Sequence, residues 1–241
     1  MILVCDGTTP LGEAGASETT YLGVNEPCSP LGIEQATATA ILLKEFGVEH
    51  LMCSSMTRAQ QSAQVIASII GVERVEVLPF LRERLGGADS MSMPFGTEIG
   101  RNFDFPEGDD RKEAGDTSAS SYSFMNDEPM SSVWQRAGQA WATALNRIAS
   151  NGTAVLVGHP TINSAMLCRC LALSPEFVPR ISLSHGSVSI ITFPEGALGG
   201  PGVIETLNYT RHLDEGWAVP VFKGEEAEKG QQAVASQLEG F

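Results

Sequence analysis

Short apolar runs alternate with helical segments along nearly the whole chain, and few folds accommodate such an order. The apolar runs predict strands, and apolar residues spaced three or four positions apart predict helices. The predicted strands are Ile2–Cys5, Leu51–Cys53, Val75–Leu78, Val155–Val157, Ser187–Phe193 and Val203–Leu207. This alternation is typical of an α/β protein, and we expect a three-layer α/β/α sandwich with a mainly parallel sheet.

The predicted helices lie between those strands and carry recognisable ends. Ser29 and Pro30 are an N-cap followed by proline at the first helical position, and Gly47 and Gly71 follow the ends of the first two helices. The helical runs are Glu34–Phe46, Arg58–Ile70, Val133–Ala149 and Thr161–Leu171.

The composition supports one sizeable domain. Of the 241 residues 42% are hydrophobic, and we expect a single domain over residues 1–223 with a peripheral acidic tail over 224–241. The formal net charge of −14 argues against a nucleic-acid partner, because phosphate backbones are bound by clustered Lys and Arg. No apolar run is long enough to span a bilayer. The sequence predicts no particular oligomeric state.

Half of the net negative charge of the chain is concentrated in one segment. Residues 87–132 carry ten acids and three bases, a net charge of −7, and show no sustained periodicity. We therefore expect residues 86–132 to be a partly mobile insertion or cap, since this stretch offers little apolar surface to offset the entropy of ordering it.

The cysteines and the first residues indicate an expected compartment. Five cysteines are an odd number placed beside apolar segments, which favours reduced thiols over a disulfide framework. Met1–Cys5 has neither a basic region nor a long apolar core, so we expect no secretory signal there. The expected location is intracellular, in the cytoplasm or an organelle lumen, and earlier removal of a transit peptide stays open.

Most of the informative polar residues follow predicted strands. They lie in Cys5–Thr9, in Cys53–Arg58, after Leu78 and in Gly158–Thr161. Ligands of open α/β sheets bind at the carboxyl ends of the strands, so we expect the site there.

These segments resemble, in order and spacing, the motifs of the histidine phosphatase (phosphoglycerate mutase-like) superfamily. The resemblance extends from Met1 to about Leu213. It is carried by the strand–turn–helix segment Leu51–Ala63, by Ser29–Ala36, by Leu81-Arg-Glu83, by Val155-Leu-Val-Gly-His159 and by Asn208–Leu213. The resemblance implies a phosphoglycerate mutase-like fold.

The first strand departs from the family pattern. The family has Arg-His-Gly there, in which the histidine attacks phosphorus and the arginine holds a phosphate oxygen. The corresponding residues here are Cys5-Asp6-Gly7, whereas Thr9 fits a threonine found in many members and Gly12 replaces the usual asparagine.

The substitution acts against phosphate chemistry. Asp6 at the position of the nucleophile places an anion against a phosphate dianion, and at roughly 4 Å and an effective dielectric constant near 20 the repulsion is about 4 kcal/mol for each phosphate charge. Loss of the arginine also removes a bidentate, charge-assisted clamp that Cys5 cannot replace. A phosphate ester substrate is therefore disfavoured.

The resemblance assigns roles to the residues that remain. Arg58, together with Gly7 and Thr9, would contact the phosphoryl group, Glu83 would protonate the leaving group, and His159 would stabilise the transferring phosphoryl. An ion pair between Arg58 and Asp6 that blocks the anion site, and a surface ion pair of Glu83 with its neighbouring arginines, are the alternatives.

Several polar residues are predicted to have structural roles. His50, His185 and His212 are interpreted as structural, and Ser54 and Ser55 as turn or N-cap residues, because no general base is evident beside them.

Other catalytic chemistries fit the residues poorly. An aspartate phosphatase of the haloacid-dehalogenase type would need its nucleophile at Val4, and a thiol phosphatase would need an arginine soon after Cys5. Cys168 and Cys170, two positions apart on a helix, are poor joint metal ligands. We expect no metal and no cofactor.

Two function classes follow. The first is a catalytically impaired pseudophosphatase that acts as a protein-binding or structural subunit, with the insertion at 87–132 suited to a basic protein surface. A solvated insertion without a partner is its alternative. The second class is a phosphomonoesterase or phosphomutase-like enzyme with weak or altered activity through His159 or Asp6.

Overall fold

A six-stranded sheet forms the centre of the protein, which was obtained as a computed structural model. The structure describes residues 1–14, 25–85, 128–148, 152–194, 196 and 202–214. The strands are β1 (Ile2–Cys5), β2 (Val48–Cys53), β3 (Val75–Val77), β4 (Thr153–Gly158), β5 (Val188–Thr192) and β6 (Val203–Tyr209).

The sheet is mainly parallel, as expected from the sequence. Its strand order is β3-β2-β4-β1-β5-β6. The pairs β2–β3, β2–β4 and β1–β4 are parallel, whereas β5 pairs antiparallel with both β1 and β6. The carboxyl ends of β2, β4 and β1 therefore lie side by side at one edge of the sheet.

Helices cover both faces of the sheet. Those in the described part of the chain are α1 (Pro10–Glu13), α2 (Pro30–Leu43), α3 (Thr57–Ile70), α4 (Met130–Arg147) and α5 (Pro160–Cys170), with short 3₁₀ turns at Lys44–Phe46, Pro79–Leu81, Pro175–Arg180 and Arg211–Leu213. Ser29 caps α2 by accepting from the Gly32 N–H at 3.0 Å, which confirms the N-cap expected from the sequence.

Two apolar cores result, one on each face. In β1, Leu3 packs toward α4 and α5, and Ile2 and Val4 pack toward α2 and α3. All four residues of β1 are buried, as expected of a central strand covered on both faces. The three-layer α/β/α architecture is confirmed.

The boundary at the end of the acidic segment differs from the sequence-based expectation. Helix α4 begins at Met130 rather than Val133, and Glu128, placed in the insertion, is buried. Its carboxylate accepts hydrogen bonds from Arg136 at 2.8 Å and from the Ser132 hydroxyl at 2.6 Å. Residues 128–132 thus belong to the folded domain, because Arg136 on α4 binds the last acid of the segment.

The rest of the acidic segment, residues 86–127, and the expected tail at 224–241 lie outside the described residues. Within the described ranges, no helix combines the length and the apolarity needed to cross a membrane.

Candidate active site

Three side chains line up at the carboxyl edge of the sheet because their strands are neighbours. Ser54 follows β2, His159 follows β4 and Asp6 follows β1, the order in which these strands lie. Backbone hydrogen bonds continue the sheet for one more residue, from Ser54 N–H to Val157 O at 2.9 Å and from Asp6 N–H to Gly158 O at 3.0 Å. The ladder itself therefore sets the spacing of the three side chains.

The imidazole of His159 bridges the two outer members of this row. Its Nδ1 lies 2.9 Å from Oδ2 of Asp6, and its Nε2 lies 2.8 Å from Oγ of Ser54. All three residues are fully buried. When Nδ1 carries the proton it donates to Asp6, and Nε2 accepts from the Ser54 hydroxyl. The Met56 N–H donates to the same Oγ at 3.2 Å, which fixes the serine.

Arg58, in the first turn of α3, forms an ion pair with Asp6. Its Nε lies 2.6 Å from Oδ2 of Asp6, and both side chains are buried. The ion pair considered from the sequence is therefore present, and Oδ2 faces both the arginine and His159. The positive charge that the family resemblance assigns to phosphate contact is already compensated by a carboxylate.

Asp6 is held in its anionic form. Burial would raise the pKa of its carboxyl group, but the charge and hydrogen bond of His159, together with His185 and Arg58, outweigh burial and hold this pKa far below its usual range. Nδ1 of His185 lies 3.2 Å from the main-chain oxygen of Asp6 and 3.8 Å from its Oδ1. His185 thus borders the site, although the sequence suggested only a structural role.

Glu83 is buried beside the N-terminus of α5 rather than paired at the surface. Its side chain accepts from the Thr161 N–H at 3.1 Å and from the Arg84 N–H at 2.6 Å. The surface ion pair considered from the sequence is wrong, because these two backbone amides turn the carboxylate inward. The amide at the start of α5 joins Glu83 to the helix whose N-cap position His159 occupies.

Gly7 and Thr9 have structural partners in the described chain. The Gly7 N–H donates to Oγ of Ser62 at 3.0 Å, and a Cβ at Gly7 would overlap the backbone of Gly32. Thr9 caps α1 by accepting from the Gly12 N–H at 3.2 Å. Their phosphate contacts stay predictions.

The contact between Ser54 and His159 was not predicted from the sequence, where no group able to act as a base was evident beside Ser54. The two residues are 105 positions apart, so no local pattern signals the contact. The useful signal was strand order, since both residues directly follow buried strands. His212 does have the structural role expected: it is buried, contacts Oγ1 of Thr39 at 3.0 Å and stacks on Tyr209.

Thiol and metal chemistry gain no support from the described residues. Burial raises the pKa of the Cys5 thiol to about 12, which leaves almost no thiolate at neutral pH. Across the described ranges, no group of three or more His, Cys, Asp or Glu side chains is arranged to hold a metal ion.

Strand order, helix layers and a polar cluster at the carboxyl edge define a phosphoglycerate mutase-like α/β protein. The family model described as histidine phosphatase superfamily (branch 1) matches residues 2–201, so the chain belongs to that superfamily.

Curated relatives carry phosphatase or mutase names. The chain is 31% identical over 237 residues to 2-carboxy-D-arabinitol-1-phosphatase of Triticum aestivum, covering 94% of this chain and 44% of the relative. It thus spans less than half the length of that plant protein. It is 27% identical over 206 residues to a probable phosphoglycerate mutase GpmB of Yersinia enterocolitica, covering 79% of this chain and 85% of the relative.

Solved structures agree on the fold. A phosphoserine phosphatase from Entamoeba histolytica superposes with a TM-score of 0.58 at 22% identity, covering 88% of this chain and 98% of that one. The α-ribazole phosphatase from Shigella flexneri superposes with a TM-score of 0.61 at 21% identity, covering 86% of this chain and 95% of that one.

Proposed function

We propose that the protein is an enzyme of the phosphomonoesterase or phosphomutase type whose altered first strand has moved the chemistry from the missing histidine to His159 or Asp6. The observation that carries this proposal is the contact of both Arg58 and His159 with Asp6, at the edge where the family resemblance expects a phosphoryl group. The phosphatase and mutase names of the curated relatives support it.

His159 is the better of the two nucleophiles on electrostatic grounds. Asp6 is held as an anion, and at roughly 4 Å with an effective dielectric constant near 20 its repulsion with one phosphate charge is about 4 kcal/mol. A neutral imidazole carries no such penalty. Nε2 of His159 would leave the Ser54 hydroxyl to attack phosphorus, while Nδ1 stays on Asp6.

The proposed reaction has two steps. An N–P bond forms at His159 as the P–O bond to the leaving alcohol breaks, and Glu83 supplies the proton that the alcohol takes. Water then attacks phosphorus, the N–P bond breaks, and Glu83 regains a proton from that water. In a mutase-type reaction an acceptor hydroxyl takes the place of water.

The proposed substrates are small phosphorylated hydroxy acids. The names of the two relatives refer to 2-carboxy-D-arabinitol 1-phosphate and to phosphoglycerate, which both combine a carboxylate with a phosphate ester. We extend that shared chemistry to this chain as the first substrate class to assay.

A second candidate function is the pseudophosphatase with a protein-binding or structural role. The observation that favours it is the 2.6 Å ion pair, because a compensated Arg58 has less charge to offer an incoming phosphate. In this case the acidic segment at 87–132, mostly outside the described residues, is proposed to contact a basic protein surface.

Phosphate release separates the two candidates. The wild-type chain and His159→Asn, purified identically, are assayed with an aryl phosphate and with both named sugar-acid phosphates. Enzymatic function predicts release at least about 100-fold above His159→Asn. Equal release by the two preparations rejects enzymatic function and leaves the pseudophosphatase.

Two further variants sharpen this result. Cys5→Arg with Asp6→His restores the family pattern, and a gain of activity in that double variant alone locates the lesion in the first strand. Deletion of residues 89–127, followed by crosslinking to basic proteins, tests the binding role; an unchanged set of crosslinked proteins rejects it.

A further inference from the structure

The proposed phosphoryl chemistry leaves one feature of the site unused, the serine at the end of β2. The row Ser54–His159–Asp6 has a hydroxyl 2.8 Å from one imidazole nitrogen and a carboxylate 2.9 Å from the other. Nucleophile, base and orienting carboxylate in that order are the arrangement by which serine hydrolases activate a hydroxyl, and it recurs on unrelated folds.

We propose that Ser54 is the nucleophile of a second activity, the hydrolysis of small uncharged carboxylic esters. Nε2 of His159 is the general base for Ser54, and Asp6 is a positioning residue that holds Nδ1–H toward itself. This proposal stands independently of the phosphatase proposal, since it requires neither phosphate binding nor Glu83.

The charges of the site favour an uncharged substrate. Asp6 and Arg58 neutralise each other at 2.6 Å in a fully buried pair. A phosphate dianion would have to compete with Asp6 for the guanidinium, whereas a carboxylic ester brings no charge into the site. The anionic Asp6 stabilises the imidazolium that forms when His159 takes the serine proton.

The reaction is balanced with water as the only co-substrate. Oγ of Ser54 bonds to the ester carbonyl carbon, and its proton passes to Nε2 of His159. The C–O bond to the alcohol then breaks, and the alcohol leaves with that proton. Water adds to the acyl-serine and gives a proton to His159, the acyl–Oγ bond breaks, and the proton returns to Ser54. The products are one acid and one alcohol.

Burial restricts the substrate to small acyl groups. Ser54 and His159 are fully buried. Beside the start of α5, directly after His159, lies a cavity of about 180 Å³ lined by Pro160, Thr161, Ser164, Ile181 and Leu183 among others. The lining of this cavity does not include Ser54 or His159, so the choice of acetyl and similarly short esters rests on the burial of these two residues alone.

The test uses an aryl fluorophosphonate and an aryl acetate on the full chain. Oγ of an activated serine displaces fluoride from phosphorus, so the labelled residue is located by mass spectrometry of the digested protein. We expect labelling at Ser54 that disappears in Ser54→Ala and in His159→Asn. Ser55→Ala is the matched control, since it removes the neighbouring hydroxyl and should keep full labelling and acetate hydrolysis.

The pH profile tests the role of Asp6. Wild-type labelling, recorded over the same pH range, is the reference. Asp6→Asn should be more than about 100-fold slower, because the amide permits the wrong imidazole tautomer, and its residual rate should follow hydroxide concentration. Circular dichroism verifies that each variant is folded.

Labelling of another residue, no labelling of the folded chain, or unchanged acetate hydrolysis in Ser54→Ala overturns the proposal. Phosphate release is measured on the same preparations. If Ser54→Ala loses acetate hydrolysis but keeps phosphate release, the two activities are separate. If the wild type releases no phosphate, the phosphatase proposal fails and the ester test still stands.

Discussion

Asp6 and Arg58 form a buried ion pair in which Nε of the arginine lies 2.6 Å from Oδ2 of the aspartate. The aspartate directly follows β1 and the arginine lies in the first turn of α3, a helix on one face of the sheet, so the pair connects two layers of the fold. A buried pair of this kind gains little over an apolar replacement of similar volume, but removing one partner leaves an uncompensated charge in the interior.

That asymmetry predicts the outcome of a double-mutant cycle at the pair. Asp6→Leu and Arg58→Met should each lower the free energy of unfolding by about 3–5 kcal/mol, whereas the double variant that combines Asp6→Leu with Arg58→Met should recover much of the loss. Urea unfolding at pH 7 measures all four chains. Single-variant effects that add within about 0.5 kcal/mol would show that the two side chains do not interact.

The depressed pKa of Asp6 predicts how that stability depends on pH. The usual pKa of an aspartate is about 3.9, and in the folded chain it lies far lower. Below about pH 4 the unfolded chain takes up a proton that the folded chain does not, which favours unfolding. The wild type should therefore exceed Asp6→Asn in unfolding free energy by its largest amount above about pH 4, and this difference should become smaller as the pH falls below that value. A difference constant from pH 7 to pH 3 would contradict this.

Periodicity and strand ends predicted the fold well because those signals are local. Ser29 and Pro30 marked the start of α2, and the apolar run at β1 marked a strand buried on both faces. The start of α4 was misplaced by three residues because Met130 and the two serines after it carry no apolar periodicity. Their helical conformation is stabilised from outside the segment, by Arg136 binding Glu128.

The site was only partly predictable, because its contacts join residues far apart in the chain. Motif order placed Arg58 and His159 at the same edge of the sheet, and the ion pair of Arg58 with Asp6 was one of the alternatives considered, whereas the contact of His159 with Asp6 was not predicted. The partner of Ser54 and the inward turn of Glu83 did not follow. They depend on which strands are neighbours and on two backbone amides, and neither is encoded near the residue itself.

Arg136 is expected to anchor the start of α4. It donates to Glu128 at 2.8 Å from two nitrogens and to the carbonyls of Phe80 and Arg82. Arg136→Met should lower the free energy of unfolding by roughly 3 kcal/mol, since Glu128 loses the main partner of a largely buried carboxylate.

Arg147→Met is the matched control for Arg136→Met. Arg147 lies on the same helix as Arg136, but its partner is Glu76 of β3 in an exposed ion pair. Breaking that pair should leave the urea midpoint close to that of the wild type. Equal losses in the two variants would mean that helix propensity, rather than the Glu128 contact, accounts for the effect.

The thiols are expected to be unreactive until the chain unfolds. Burial raises the pKa of Cys5, Cys28 and Cys53 to about 12, and it raises the pKa of Cys168 and Cys170 as well. Only the thiolate attacks a disulfide reagent, so at pH 8 the first three should react about a thousandfold more slowly than an ordinary thiol of pKa near 8.5. Titration with an aromatic disulfide should find five thiols in guanidinium and almost none in the folded chain.

Cys28 is the one cysteine that is only partly buried, so Cys28→Ser should remove any slow reaction of the folded chain with the disulfide reagent. A fast native reaction that survives this substitution would show that one of the other four thiols is accessible and ionised in the folded protein.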